Sequence, residues 1–180
     1  NACNGEKGYE DALLMSKSIA YELNIKPWQV FTCSTGIIGY PLPINNICSA
    51  APTWVKSLKT TGWSRFSKAI MTSDSVNKVK SIQIKMGGKK VTITGAAKGS
   101  GMIAPNMATM LAFIVTDAAV NEKDLKVITK DAVDDSFNSI SVDGDMSTND
   151  TVMVMANGAA HNPMPKSKSD DLLNFREGLK

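Results

Sequence analysis

The stretch from Thr109 to Thr116 (TMLAFIVT) constrains the fold more than any other. It is almost continuously apolar, with none of the alternation of a half-exposed strand. Such a run reads as a strand buried on both faces, so structure must cover each side of its sheet. Just before it, Gly95 to Asn106 (GAAKGSGMIAPN) is rich in glycine and small residues and reads as a loop. Upstream, Ser81 to Met86 alternates Ile82, Ile84 and Met86. Gly87-Gly88 supplies a two-residue turn, and Val91 and Ile93 resume the alternation. This pattern predicts a β-hairpin.

Helical patterns interleave with these strands. Tyr9 to Leu23 places Ala12, Leu13, Ser16, Ile19, Ala20 and Leu23 on one face, and Pro27 stops it. Asn1 to Gly8 before it reads as a loop. Gln29 to Thr35 (QVFTCST) reads as a short strand entering a tight turn at Gly36. Ile44 to Ala51 and Trp63 to Met71 read as short helices, with Pro52 and Gly62 as punctuation. Asn121, with Asp124 three residues on, caps a helix whose inner face is Leu125, Ile128, Ala132, Ser136 and Ile140. Asp143 to Asp150 is a polar loop leading into a strand, Thr151 to Ala156. Ser169 caps a last helix with Leu172, Leu173, Arg176 and Leu179 at helical spacing. The expected class is α/β (α+β): a layered sandwich with mixed sheets.

Composition excludes several functions. The 180 residues carry 20 Lys and Arg against 17 Asp and Glu, a net charge of +3. The densest basic pair, Lys89 and Lys90, sits in the hairpin, and few aromatics lie between the basic residues, so nucleic acid is not suggested. No apolar run reaches the roughly 18–20 residues of a membrane span. Cys3, Cys33 and Cys48 form no CxxC pair, so neither a disulfide framework nor a zinc site is indicated. The single His161 rules out a histidine-based metal cluster and weakens a Ser-His-Asp reading. DGDMSTND, from Asp143, is not a complete calcium loop: Thr148 stands where glycine is needed and Val154 where glutamate is needed. Asn149-Asp150-Thr151 fits a glycosylation sequon, which matters only in a secreted protein.

An enzyme built on this chain needs a nucleophile activated without histidine. Thr109 stands where a small-residue loop meets the buried strand. If the Ala108–Thr109 peptide bond is cut, the new α-amino group lies within reach of that residue's own hydroxyl. Its ordinary pKa, near 7.7–8.0, suits a general base at neutral pH. The hydroxyl itself can make the cut by an N-to-O acyl shift. On pattern alone, an ordinary threonine opening an ordinary strand is the commoner reading. Ser34-Thr35-Gly36 could offer an oxyanion site through its N–H groups and the Thr35 hydroxyl, or could be a turn that needs glycine. Lys98 fits no Walker pattern. It could hold a carboxylate or be a solvated lysine.

Five blocks in order tip these choices. They are NACNGEKGYEDA near the start, CSTGIIGYPLP at Cys33 to Pro43, AIMTSDS at Ala69 to Ser75, KGSGMIAPNMATMLAFIVTDA at Lys98 to Ala118, and SVDGDMSTNDTV at Ser141 to Val152. Together they resemble the ornithine acetyltransferase (glutamate N-acetyltransferase) family of arginine biosynthesis. The resemblance implies a precursor that cuts itself between Ala108 and Thr109. Residues 1–108 would then belong to an α chain and residues 109–180 to a β chain. It implies Thr109 as nucleophile, Thr35 and Gly36 as oxyanion hole, and Thr72, Lys98 and Thr109 as substrate contacts. The implied reaction moves acetyl from N2-acetylornithine to L-glutamate through an acetyl-threonine. It needs no cofactor or metal, and acetyl-CoA is a possible second donor. The implied fold is layered α/β, N-terminal-nucleophile-like but with a topology of its own, and the implied assembly is an α2β2 heterotetramer. Bacterial members are cytoplasmic, and fungal and plant members are organellar.

Ser73 stands where many relatives have threonine, which keeps a hydroxyl. The family is roughly twice this length, so the chain is expected to be an internal piece. A catalytic glutamate and C-terminal substrate contacts are expected beyond Lys180, and the isolated piece is expected to be inactive. Two other functions compete: an amidase or aminopeptidase on the same framework, with water as acceptor, and a non-catalytic amino-acid-binding module.

Overall fold

The computed structural model describes residues 2–101, 110–145 and 147–180. The chain divides into two units, Asn1–Gly62 and Trp63–Lys180.

In the first unit, helix α1 (Gly5–Leu23) packs on helix α2 (Ile44–Lys56). Ala20 and Ala51 are fully buried, and side chains this small let two helices approach closely. α1 begins at Gly5, four residues before the start that periodicity suggests. The opening turn Gly5–Gly8 lacks an apolar stripe, and the Asn4 side chain makes no cap bond, so nothing local announces it. Asn4 instead donates to the Tyr40 carbonyl at 3.1 Å. The predicted apolar face is partly open, with Leu13 and Leu23 exposed and Ser16 and Ala20 buried. α1 ends in a left-handed Asn24 (φ 53°), whose neighbour Ile25 donates to the Ala20 carbonyl at 3.0 Å.

Two further expectations fail in this unit. Pro52 does not end α2, which runs on to Lys56. A proline inside a helix loses one backbone bond and strains the turn before it. Packing of α2 against α1, with Ala51 buried, holds the helix through this turn. Residues 29–35 form no strand: a 3-10 turn covers Pro27–Gln29, and residues 30–35 continue as irregular backbone. Val30 is extended, but β-rich sequence makes a strand only where a neighbouring strand accepts it.

The second unit is built on a four-stranded mixed sheet. Helix α3 (Trp63–Ala69) leads to β1 (Lys78–Met86) and β2 (Lys89–Lys98). Then come β3 (Leu111–Thr116), α4 (Glu122–Asp134), a 3-10 turn at Phe137–Ser139, β4 (Thr151–Ala156) and α5 (Asp170–Leu179). The order is β1-β2-β3-β4, with the first two pairings antiparallel and β3–β4 parallel. The predicted hairpin forms with Met86 opposite Lys89. Gly87 and Gly88 both take positive φ (53° and 77°), the two-residue turn that matches strand twist.

Helices lie on both faces of the sheet, but the two-sided burial expected of the Thr109–Thr116 run is reached, among the described residues, only at Met110, Leu111, Ala112 and Thr116, with Phe113, Ile114 and Val115 half-buried. On one face Met86, Val91 and Ile93 pack with Ile128 and Ala132 of α4 and with Leu172, Phe175 and Leu179 of α5. Phe175 is fully buried, while Leu173, predicted on this face, is exposed. The α5 face turns on Phe175, and Gly178 lets the helix come close. A β-carbon there would lie 3.1–3.2 Å from Ile82, Ile84 and Ile93. On the other face, Phe66 of α3 meets Phe113 edge-on at 5.4 Å.

Asn121 caps α4 as expected, its Oδ1 accepting the Asp124 N–H at 2.9 Å. Ser169 takes the N-cap position of α5 without a side-chain cap bond. The predicted loop Gly95–Asn106 is partly strand: Gly95–Lys98 completes β2 by pairing with Leu111–Ile114. Small residues there do not mark a loop, because β3 crosses close to them. No helix among the described residues is long and apolar enough to cross a membrane.

Candidate functional site

Strand register gathers the site at one end of the sheet. Lys98, the last residue of β2, lies opposite Leu111, the first of β3, and Leu111 lies opposite Thr151, the first of β4. The residues just outside these strands are tied together. Met110 donates its N–H to Asp150 Oδ1 at 2.7 Å, and its carbonyl accepts the Thr151 N–H at 3.0 Å. Met110, which leads into β3, is thus fixed through both its N–H and its carbonyl. Thr109 and Ala108 themselves lie outside the described residues.

Alternation turns the Lys98 side chain inward with that of Ala96, and only 2% of Lys98 is exposed. Its Nζ donates to Thr72 Oγ1 at 3.5 Å, the outer limit of a hydrogen bond. Burial pushes the Lys98 ammonium below the usual lysine range, against the raising charges of Asp74 and Asp150. Asp150 feels the converse. Burial pushes its carboxyl up, while the N–H groups of Met110 and Ser147 and the charge of Lys98 pull it down. Its Oδ2 is buried without a hydrogen-bond partner among the described residues.

Thr72 reaches Lys98 from the segment between α3 and β1. Asp74 organises that segment. It accepts the Thr72 N–H at 3.2 Å and the Gly99 N–H at 2.8 Å, and pairs with the Lys78 ammonium. Lys78 also donates to the Gly99 carbonyl at 3.1 Å. Burial alone would push the Asp74 carboxyl up. The Lys78 ammonium and the N–H groups of Gly99 and Thr72 outweigh it and hold the pKa at about 2. Ser73 and Ser100 share a hydrogen bond of 2.8 Å across the same seam. Asn77 ties the segment to α3 by donating to Ser67 at 3.0 Å.

The structure therefore brings together two of the predicted substrate contacts, Thr72 and Lys98, from positions 26 residues apart. Lys98 is neither a loop lysine nor a solvated one. Thr35 and Gly36 belong to the first unit, on the segment between the Pro27–Gln29 turn and α2. Thr35 is half-buried there and Gly36 exposed. Sequence reasoning missed Asp74 and Asp150 as site residues. Asp74 was legible only as one letter of AIMTSDS, and Asp150 only as the middle of a sequon. The signal available was position, since each flanks an element end that carries a site residue.

Among the described residues no group of His, Cys, Asp or Glu has the spacing to hold a metal ion, and Cys3, Cys33 and Cys48 form no disulfide with one another. A groove of about 680 Å³ opens on the α5 side of the sheet, lined by Val79, Ile82, Gly95, Ala97, Ala112 and Ile140 among others. It is mainly apolar and excludes Lys98 and Thr72. The buried ammonium, with one weak hydroxyl partner among the described residues, is the better candidate ligand site. It can take an anionic oxygen, and the neighbouring hydroxyls can orient one.

Known proteins resemble this chain throughout. A family model described as the ArgJ family matches residues 1–180. The arginine biosynthesis bifunctional protein ArgJ of Caldanaerobacter subterraneus subsp. tengcongensis is 50% identical over 162 residues, which are 90% of this chain and 40% of that protein. The protein of the same name from Bacillus subtilis is 48% identical over 181 residues, 99% of this chain and 44% of its own length. The chain thus spans less than half the length of these relatives. The crystal structure of the Bacillus halodurans ArgJ protein aligns with a TM-score of 0.53 at 38% identity, covering 60% of this chain and 59% of that one.

Proposed function

The chain belongs to the ArgJ family, and on that premise we propose that it carries the processing junction and part of the acyl-transfer site of a self-cleaving acetyltransferase of arginine biosynthesis. The observation that carries this reading is the buried Lys98 ammonium beside Thr72, next to the head of β3. A buried lysine whose partner among the described residues is one weak hydroxyl has a strong use for a carboxylate. N2-acetylornithine presents one, and glutamate presents two.

The proposed chemistry runs through Thr109. Its hydroxyl attacks the Ala108 carbonyl, the peptide nitrogen leaves as the new α-amine, and water hydrolyses the resulting ester. In turnover that amine takes the hydroxyl proton as the oxygen attacks the acetyl carbon of N2-acetylornithine. The C–N bond breaks, ornithine departs with the proton, and acetyl-threonine remains. The amine of glutamate then attacks this ester, N-acetylglutamate leaves, and the hydroxyl is restored. Donors at Thr35 and Gly36 would meet the tetrahedral oxyanion. Acetyl-CoA is a second candidate donor for the same ester.

The fold supports such a cut. β2 precedes the junction and β3 follows it, and the two pair along Ile93–Lys98 and Leu111–Thr116. Severing the chain between them leaves that ladder to hold the products together. An α2β2 assembly and a cytoplasmic location belong to the same proposal, since the relatives are bacterial proteins named for biosynthesis.

The test uses the full-length protein. Mass spectrometry is expected to find fragments ending at Ala108 and starting at Thr109, both lost in Thr109→Ala. Incubation with N2-acetylornithine and glutamate is expected to yield N-acetylglutamate, with activity reduced by roughly 1000-fold or more in that variant. Acetate as the main product would instead mark a hydrolase. An intact and fully active chain would sink the mechanism.

A further inference from the structure

The carboxylate of Asp74 reaches both halves of the Thr72–Lys98 pair through the backbone. It holds the Thr72 N–H two residues upstream and the Gly99 N–H one residue beyond Lys98. Gly99 has φ +143°, which side-chain-bearing residues rarely adopt. The turn that leaves Lys98 thus needs both this glycine and the acceptor that grips it. The Asp74 side chain is only 1% exposed, whereas its partner Lys78 is 44% exposed. The carboxylate therefore acts inward while its counter-ion faces solvent.

We propose that Asp74 is the positioning residue of Lys98, fixing the ammonium against the Thr72 hydroxyl and holding the proton on it for a substrate carboxylate. This rests on the reading that Lys98 receives that carboxylate. Three charged groups act around the ammonium. Asp74 faces it from the segment before β1, Asp150 faces it from the segment before β4, and Lys78 of β1 partly neutralises Asp74. Burial works to strip the proton from Lys98, and the two carboxylates oppose that loss.

Two variants of the full-length protein move this balance in opposite directions. Asp74→Asn keeps an acceptor oxygen and removes the charge. Lys98 then loses its proton at lower pH, and the alkaline limb of kcat/KM for glutamate shifts down by about half a unit or more. Above that limb KM rises several-fold with a smaller change in kcat. Lys78→Met leaves the Asp74 charge uncompensated, so the limb shifts up. A purely structural role would scale the rate without moving either limb. Lys98→Met is the reference: it should raise KM and abolish the limb.

If Lys98→Met leaves KM for glutamate unchanged, the underlying reading falls. If it raises KM but the limb stays put in Asp74→Asn, or moves down in Lys78→Met, the role given to Asp74 is overturned. Should Asp74→Asn fail to fold, the direction of the Lys78→Met shift decides alone.

Discussion

On the side of α4 and α5 the sheet packs Met86, Val91 and Ile93 against Leu172 and Phe175, whereas at its Lys98 end the interior holds Asp74, Lys98 and the edge of Asp150. The first region is held by apolar area, which is non-directional and tolerates any shape that fills the volume. The second buries charge, which is favourable only where each group finds a partner at a fixed place. Among the described residues Asp74 has three such partners, yet Lys98 has one weak hydrogen bond and is still kept out of water. A lysine is almost never buried this far without a pairing that compensates it. The contrast teaches that the α4–α5 face rests on apolar area, while the Lys98 end holds buried charge that, among the described residues, is only weakly paired.

The comparison breaks first at Phe175. Truncation to alanine removes a fully buried ring from the centre of the apolar cluster. Such changes cost about 3–5 kcal/mol. Urea unfolding of Phe175→Ala should show a loss of that size, with the Asp74 network failing together with the rest of the unit. A loss under about 1 kcal/mol would mean that the apolar face is not the main support of the sheet.

Asp74 sharpens the comparison through pH. Its pKa is about 2 in the fold, below the usual carboxylate value of 3.8. A carboxyl with a depressed folded pKa stabilises the fold above its unfolded pKa, and that contribution is lost as pH falls through the folded value. The shift corresponds to about 2 kcal/mol, lost between roughly pH 4 and pH 2. The stability gap between the native protein and Asp74→Asn should therefore narrow by about that amount over this range. A gap that stays constant from about pH 6 to pH 2 would show that the Asp74 contacts do not depend on its charge.

The two regions also differ in how far the sequence disclosed them. The apolar side was legible because its signals are local: the Ile82–Met86 alternation, the Gly87-Gly88 turn and the Asn121 cap appear where expected, and β3 lies at Leu111–Thr116 within the predicted Thr109–Thr116 run. Errors arose where tertiary contact overrode a local signal, as when Pro52 sits within α2 or small residues Gly95–Lys98 extend β2 against β3. The exposed Leu173 and the buried Phe175 stand two positions apart on α5, and how that helix lies on the sheet decides which of them faces inward. At the Lys98 end, resemblance named Thr72 and Lys98, but no periodicity could join residues 26 apart through a buried carboxylate. Asp74 and Asp150 emerge only when strand ends are placed side by side.

The smallest expected effect on stability is the most telling. Lys98→Met keeps a long side chain of similar reach while removing a buried ammonium. Since burial lowers the Lys98 pKa, the folded chain holds that proton less well than the unfolded one. Stability should accordingly rise with pH once it passes the folded value, because the unfolded state then binds more protons. In Lys98→Met this alkaline gain disappears, and near neutrality the variant should be as stable as the native protein or more so by up to about 1 kcal/mol. Loss of the Lys98 charge would still weaken attraction of Asp74 and Asp150, which limits the gain. KM for glutamate should meanwhile rise by roughly tenfold or more. A variant less stable by about 2 kcal/mol or more, with KM unchanged, would make Lys98 a structural ion and erase the distinction between the two ends of the sheet.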